Sequence, residues 1–132
     1  MELIAKQPTA TGPADWFTGA VYINQLVAAE APARLRAGLV RFTPGARTHW
    51  HRHSLGQTLH IVSGIALVGT RDGTVIEARP GDTVWTPKGE EHWHGATGDQ
   101  FMAHLAMWED DDVTWNEAVT DADYRRGRTL AH

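Results

Sequence analysis

From Gly38 onward the sequence consists of short β-prone segments separated by turn residues, and this pattern restricts the possible folds more than any other feature. We predict strands at residues 39–42, 59–62, 65–70, 75–78, 83–86 and 101–108. The turn signals between them are Pro44-Gly45, Asp72-Gly73, Pro80-Gly81 and Pro87-Lys88-Gly89. Strands at this spacing, with no intervening helical periodicity, predict an all-β fold of the antiparallel sandwich or barrel type.

The two ends of the chain carry weaker signals. Residues 1–35 show no regular pattern, so we expect an irregular N-terminal segment, with a turn of helix between Ala28 and Arg36 that Pro32 interrupts. Thr120 followed by acidic residues predicts a short, capped C-terminal helix. A length of 132 residues with 42% hydrophobic residues suits one globular domain, so residues 1–132 are interpreted as a single domain.

Composition and charge exclude several classes of function. The chain has no cysteine, which rules out disulfides, thiolate metal ligands and a cysteine nucleophile. The net charge of -4 argues against nucleic-acid binding. Residues 1–10 do not resemble a signal peptide, and no run approaches the roughly 18 apolar residues of a membrane span. We therefore expect a cytoplasmic protein that does not contact membranes and whose chemistry uses oxygen and imidazole groups.

Seven of the 8 histidines lie in two segments. In the first, His51, His53 and Gln57 share one face if a single strand continues through them without a bulge, and Leu59 and Ile61 extend that face. The second segment holds His92, His94 and His104, of which His92 can complete a set of four ligands from a separate strand. Three imidazoles and an amide oxygen suit a divalent metal such as Mn, Fe, Co, Ni or Zn. Gln57 either binds this metal or orients a water molecule.

The spacing within each segment resembles the two cupin motifs. The first motif covers Gly45, His51, His53, Gln57 and Gly64, and the second covers Gly81, Pro87, Gly89 and His92. This resemblance spans residues 38–108 and implies a jelly-roll β-barrel in which His51, His53, Gln57 and His92 bind the metal. Cupins usually have Glu where this chain has Gln57. Because an amide cancels none of the metal's charge, the ion is expected to be more electrophilic and to favour Lewis-acid chemistry over oxygen activation.

A narrower resemblance comes from residues 45–48, from the Leu55-Gly56-Gln57-Thr58-Leu59 segment and from the Glu91-His92-Trp93-His94-Gly95-Ala96 segment. These are similar to the small bacterial cupins described as manganese-dependent hydroxynitrile lyases, which interconvert a cyanohydrin with an aldehyde and hydrogen cyanide. The resemblance implies manganese as the cofactor and a small-molecule substrate. Two alternatives stay open: an Fe- or Cu-dependent dioxygenase or oxidative-cleavage enzyme, and a cupin that binds a small ligand without catalysis.

Further site residues follow from strand parity. His94 shares the face of His92 and acts either as an acid/base or as a structural hydrogen-bonding group, while His104 is interpreted as a proton shuttle or a buried core imidazole. His49 lies either at the pocket mouth or in solvent. Pocket-wall candidates are Gly38, Val40 and Trp108, and Trp16, Trp85 and Trp115 are interpreted as core or interface residues. His60 points to a second sheet or a subunit contact, and a homodimer or homotetramer is expected, because association can cover exposed sheet edges and apolar faces.

Overall fold

The computed structural model of the protein describes residues 1–110 and 112–130, with side chains as far as residue 126, and these residues form mainly β-strands. The strands are β1 (Ala10–Thr11), β2 (Phe17–Thr18), β3 (Val21–Ala28), β4 (Leu35–Phe42), β5 (Arg47–Thr48), β6 (His51–His53), β7 (Gln57–Ser63), β8 (Ala66–Thr70), β9 (Val75–Ala78), β10 (Thr83–Thr86), β11 (His92–Ala96), β12 (Met102–Glu109) and β13 (Val113–Trp115). A C-terminal helix, α1 (Asp121–Leu130), follows them.

Two antiparallel sheets face each other. The order of the six-stranded sheet is β1-β3-β4-β12-β7-β10, and the second sheet has the order β13-β6-β11-β5-β2, with β8 also paired to β11 and to β9. Alternate residues of both sheets point inward and form the main apolar core, for example Phe42 and Leu59 from the first sheet and Val68 and Ala96 from the second. The predicted all-β antiparallel architecture is therefore confirmed.

Each strand predicted from Gly38 onward is present, with ends that differ by up to four residues. The N-terminal prediction was partly wrong. Residues 1–9 have no regular structure, as expected, but Val21–Ala28 forms the long strand β3, and no helical turn lies between Ala28 and Arg36. The chain instead turns around Pro32 and returns as β4, which pairs with β3 from Val21↔Phe42 to Ala28↔Arg36. Tertiary pairing overrides the helical propensity of this alanine-rich segment.

The C-terminal helix begins as the sequence predicts. The Thr120 hydroxyl accepts a hydrogen bond from the backbone N–H of Asp123 at 3.1 Å, and this caps the first turn. The helix is held against the second sheet by Arg47, which donates to the Val119 carbonyl and to Asp121, both at 2.9 Å. The Tyr124 hydroxyl donates to the Ala96 carbonyl at 2.6 Å. In the part of the chain that the structure describes, no helix is long and apolar enough to cross a membrane.

Candidate metal centre

Three histidines converge on one point between the sheets. His51 and His53 point inward from β6, with exposed fractions of 1% and 6%, while the intervening Arg52 is exposed. His92 on β11 is the direct cross-strand partner of His51. The ring centroids of His51 and His92 are 4.3 Å apart, and each of the three residues offers a nitrogen within 4.8 Å of the others. The spacing suits three imidazole ligands around one small cation.

Gln57 joins this group from the opposite sheet, which corrects the sequence interpretation. His53 and Gln57 do not lie on one continuous strand, because residues 54–56 form a turn that transfers the chain from β6 to β7 in the six-stranded sheet. Gly56 has a φ of 85° in this turn, a conformation that favours glycine. The Oε1 atom of Gln57 nevertheless lies 3.1 Å from His92 Nε2. The candidate ligands therefore meet because the inner faces of the two sheets are opposed. Strand parity along one continuous strand does not explain their proximity.

Backbone carbonyls orient two of the rings. The Nδ1–H of His51 donates to the carbonyl of His49 at 2.9 Å, and that of His92 donates to the carbonyl of Glu90 at 3.1 Å. Each Nε2 atom is then an unprotonated acceptor that points inward. His92 Nε2 and Gln57 Oε1 consequently face each other as two acceptors, an arrangement that a shared cation would stabilise. Neither ring nitrogen of the buried His53 has a hydrogen-bond partner among the described residues.

Burial keeps these imidazoles neutral. Desolvation lowers the pKa of His53 and the pKa of His92 from 6.5 to about 4. Desolvation also lowers the pKa of His51 well below 6.5, and the neighbouring His92 lowers it further. Neutral imidazole is the form that binds metals, so no proton has to be displaced at neutral pH. The donor chemistry, the unpaired nitrogens of His53 and the opposed acceptors all fit a divalent metal ion.

A second pair of imidazoles lies next to this group. His94 Nδ1 and His104 Nε2 are 2.9 Å apart and share a hydrogen bond, with His94 on β11 and His104 on β12 of the facing sheet. His94 lines the cavity, and its buried Nε2 has no partner among the described residues. His104 is fully buried and packs against Phe42, and it is not among the cavity-lining residues, so it meets the cavity only through its hydrogen bond to His94. Desolvation lowers the pKa of both residues, to about 4 for His104.

A cavity of about 310 Å³ opens beside the histidines. The lining includes Gly38, Val40 and Trp108, which are the pocket-wall candidates of the sequence analysis. His49 is not among the lining residues, and its backbone carbonyl accepts the hydrogen bond from His51 Nδ1–H. His60 lies on the other face of its sheet, where its Nδ1 is 2.9 Å from the Thr83 hydroxyl.

Sequence reasoning missed an aromatic wall of the cavity. The Trp115 ring stacks on the His51 ring with a centroid distance of 4.5 Å, and the Trp16 ring stacks on Trp115 at 5.1 Å. Both tryptophans line the cavity, together with Phe17. These residues lie outside both histidine segments, near the two ends of the chain, and no spacing signal connects them to the site. Their positions follow from β2 and β13, which lie at the two ends of the strand order of the second sheet.

Comparison with known proteins places this geometry in a family. The Cupin domain family model matches residues 38–109. The chain belongs to the cupin family. This cupin is 48% identical over 126 residues to an (R)-mandelonitrile lyase from Granulicella tundricola, a match that covers 93% of this chain and 96% of that enzyme.

Solved structures agree with this assignment. A cupin-like protein from Thermotoga maritima superposes with a TM-score of 0.85 at 31% identity, and 96% of each chain is covered. The polyketide cyclase RemF from Streptomyces resistomycificus shares the fold, with a TM-score of 0.69 at 17% identity over 97% of this chain and 93% of that one. The predicted cupin jelly roll is therefore confirmed.

Proposed function

We propose that this cupin is a metal-dependent hydroxynitrile lyase, which cleaves a cyanohydrin to an aldehyde and hydrogen cyanide and catalyses the reverse addition. The observation that carries the proposal is the placement of a buried three-histidine group, with Gln57, beside the hydrogen-bonded His94 and His104 at one cavity. The 48% identity to an enzyme named (R)-mandelonitrile lyase supports the same reaction class. The substrate is then a small cyanohydrin, and no nucleic acid or membrane takes part.

We propose His51, His53, His92 and Gln57 as the metal ligands and manganese as the metal, with Fe, Co, Ni, Zn and Cu as alternatives to be tested. A divalent ion bound by these residues would supply a Lewis acid that could polarise the substrate oxygen. The four donors carry no charge, so they leave the full positive charge of the ion available for this task. The Nδ1–H hydrogen bonds of His51 and His92 to backbone carbonyls hold the two rings in place for binding.

The proton transfers are assigned to the imidazole pair. His94 lines the cavity, and its Nε2 has no partner among the described residues, so we assign it as the acceptor of the substrate hydroxyl proton. As that proton leaves, the C=O bond of the aldehyde forms and the bond between the carbinol carbon and the cyano carbon breaks. The electron pair of that bond leaves with cyanide, and the His94 imidazolium then returns its proton to cyanide, which gives HCN. His104 positions His94 through the 2.9 Å hydrogen bond and stabilises the charge that His94 acquires. No water or external oxidant enters this balance.

The test is cleavage of mandelonitrile by protein loaded with each metal in turn. We expect release of benzaldehyde well above the buffer rate with manganese, a loss of metal and activity in His51→Ala, and retained metal with at least a tenfold lower kcat in His104→Ala. Elemental analysis separates the two kinds of loss. Benzaldehyde release at the buffer rate with every metal would remove the lyase proposal. Oxygen uptake with a catechol or flavonol substrate would then favour the dioxygenase alternative.

A further inference from the structure

Trp108 presents a hydrogen-bond donor that nothing in the described structure uses. The residue points inward from β12, where its cross-strand partners are Gln57 on β7 and Arg36 on β4. Its ring centroid lies 5.8 Å from that of His53, and the ring lines the cavity. The indole Nε1–H is buried and has no partner among the described residues. An unpaired buried donor destabilises the protein, so an acceptor supplied by a bound molecule would remove that penalty.

The neighbouring acceptor, the side-chain oxygen of Gln57, is already part of the candidate ligand group. The Oε1 atom of Gln57, which is beside Trp108 in the sheet register, lies 3.1 Å from His92 Nε2 within the ligand group. The imidazole of His53 is also next to Trp108, but the proposed function assigns it to the metal, and apolar residues such as Ile23 and Val113 line other parts of the cavity. No described residue accepts a hydrogen bond from the indole N–H, and a molecule that occupies the cavity can supply that acceptor.

Trp108 and His94 contact different ligands of the candidate metal. His94 is next to His51, with ring centroids 5.2 Å apart, whereas Trp108 is next to His53. A molecule bound near His51 and His53 would therefore meet two different groups. The imidazole of His94 can exchange a proton, whereas the indole of Trp108 can only donate a hydrogen bond. The two groups suit two different substrate atoms: a hydroxyl oxygen that loses its proton and a second acceptor that does not.

We propose that the indole N–H of Trp108 binds the cyano nitrogen of the substrate and of the departing cyanide. This inference rests on the proposed lyase function and adds a substrate-binding residue to it. The bond stabilises the negative charge that develops on cyanide, while the proton that completes HCN still comes from His94. A hydrogen bond to a charged acceptor is stronger than one to a neutral acceptor, so the contact strengthens as the carbon–carbon bond breaks.

Azide, a linear anion with terminal nitrogen acceptors, is the binding probe for the metal-loaded protein. Trp108→Phe keeps an aromatic ring and removes the N–H, and Trp85→Phe is the matched control, because Trp85 is 60% exposed on the outer face of the same sheet. By calorimetry we expect azide to bind Trp108→Phe about tenfold more weakly than wild type, the equivalent of one hydrogen bond, and Trp85→Phe to bind it as wild type does. Equal affinities in all three proteins, or no azide binding to wild type, would overturn the proposal.

A second measurement does not depend on a stable variant. In wild-type protein loaded with zinc and labelled with ¹⁵N, we expect the Trp108 indole N–H proton resonance to move downfield on addition of azide, because hydrogen bonding deshields the proton. The indole resonance of Trp85 should stay in place. A stationary Trp108 resonance at saturating azide contradicts the proposal, even if Trp108→Phe fails to fold or to load metal.

Mandelonitrile kinetics distinguish the two hypotheses. If the lyase function is correct, Trp108→Phe should lower kcat/KM mainly through kcat, because the contact is strongest in the transition state. If mandelonitrile is not cleaved but azide binding still requires the indole N–H, the lyase function fails and the donor assignment stands. If cleavage and azide binding are both unchanged in Trp108→Phe, the donor assignment fails and the lyase function stands.

Discussion

Gln57 places a neutral amide oxygen where a carboxylate of nearly the same reach would add a negative charge. Its Oε1 atom is 3.1 Å from His92 Nε2, so an added charge would act at short range on any cation held by the histidines. A carboxylate at this position would therefore raise the affinity for the metal, whereas the amide leaves the metal a stronger Lewis acid. The shape of the site would be nearly the same in both cases.

The Gln57→Glu substitution tests this exchange. We expect the variant to bind Mn²⁺ on the order of tenfold more tightly, because a carboxylate attracts the ion, and to cleave mandelonitrile more slowly, because the ion becomes a weaker Lewis acid. Metal titration by calorimetry and initial-rate kinetics give the two numbers. His60→Gln is the control, since His60 lies on the outer face of the same strand. A variant with tighter metal binding and undiminished kcat would contradict the electrostatic argument.

At the scale of elements, the turn at residues 54–56 determines whether the ligand group can assemble, because it carries the chain from one sheet to the other. Gly56 has a φ of 85°, and a Cβ atom added there would lie 2.8 Å from the Thr86 carbonyl oxygen and would overlap the Trp85 ring. The turn thus needs glycine both for its backbone conformation and for the close approach of β10.

Comparing two glycine substitutions separates these causes. Gly81 has a φ of 92°, and a Cβ atom added there would have no other atom within 4 Å. Gly81→Ala should therefore lower the free energy of unfolding by about 1–2 kcal/mol, which is the cost of the left-handed conformation alone. Gly56→Ala should cost more than this and should also weaken Mn²⁺ binding, because Gln57 is displaced. Urea unfolding and metal titration measure both effects. Equal losses of stability in the two variants would show that the contact with β10 is unimportant.

The same turn shows what the sequence could and could not predict. The motif spacing grouped His51, His53, Gln57 and His92 as candidate ligands. A single glycine, Gly56, was too weak a signal to indicate that these residues come from two different sheets. Strand β3 was missed because Asn24 and Gln25 interrupt its apolar alternation. The stacking of Trp115 on His51 depends on a pairing between β13 and β6 that is fixed only in the folded chain.

At the scale of the whole molecule, the buried imidazoles make the metal-free protein sensitive to acid. His53, His92 and His104 have pKa values lowered to about 4 by burial, against 6.5 when exposed in the unfolded chain. Between these values the unfolded state binds more protons than the folded state, so stability is present above pH 6.5 and is lost as the pH falls towards 4.

His104→Gln should reduce this pH dependence. The glutamine can still hydrogen-bond to His94, but it removes one titrating group, so the slope of unfolding free energy against pH between 4 and 6.5 should fall by up to about 1.4 kcal/mol per pH unit. Urea unfolding of metal-free wild type and variant at pH 5, 6 and 7 measures the difference. Identical slopes would mean that His104 binds protons equally in the folded and unfolded states, so that burial does not lower its pKa.

Assembly into a homodimer or homotetramer stays a prediction, as does the treatment of residues 1–132 as one domain. Strand register places Trp85, Thr58, Met107 and Ala37 in one row on the outer face of the six-stranded sheet, with His60, Leu105 and Leu39 in the next, so most of these side chains are apolar. We predict that a second copy of this chain covers this face, because an isologous contact matches an apolar surface with itself. Sedimentation should give at least a dimer, and Trp85→Glu should shift it towards the monomer. A monomeric wild type at micromolar concentration would contradict this.

The stacked rings of Trp16, Trp115 and His51 give the protein a built-in optical reporter. An indole in van der Waals contact with a candidate ligand imidazole lies close enough to a paramagnetic ion for its fluorescence to be quenched. Manganese uptake can therefore be followed by intrinsic emission in unlabelled protein, and Trp115→Phe identifies which part of the signal comes from the stack.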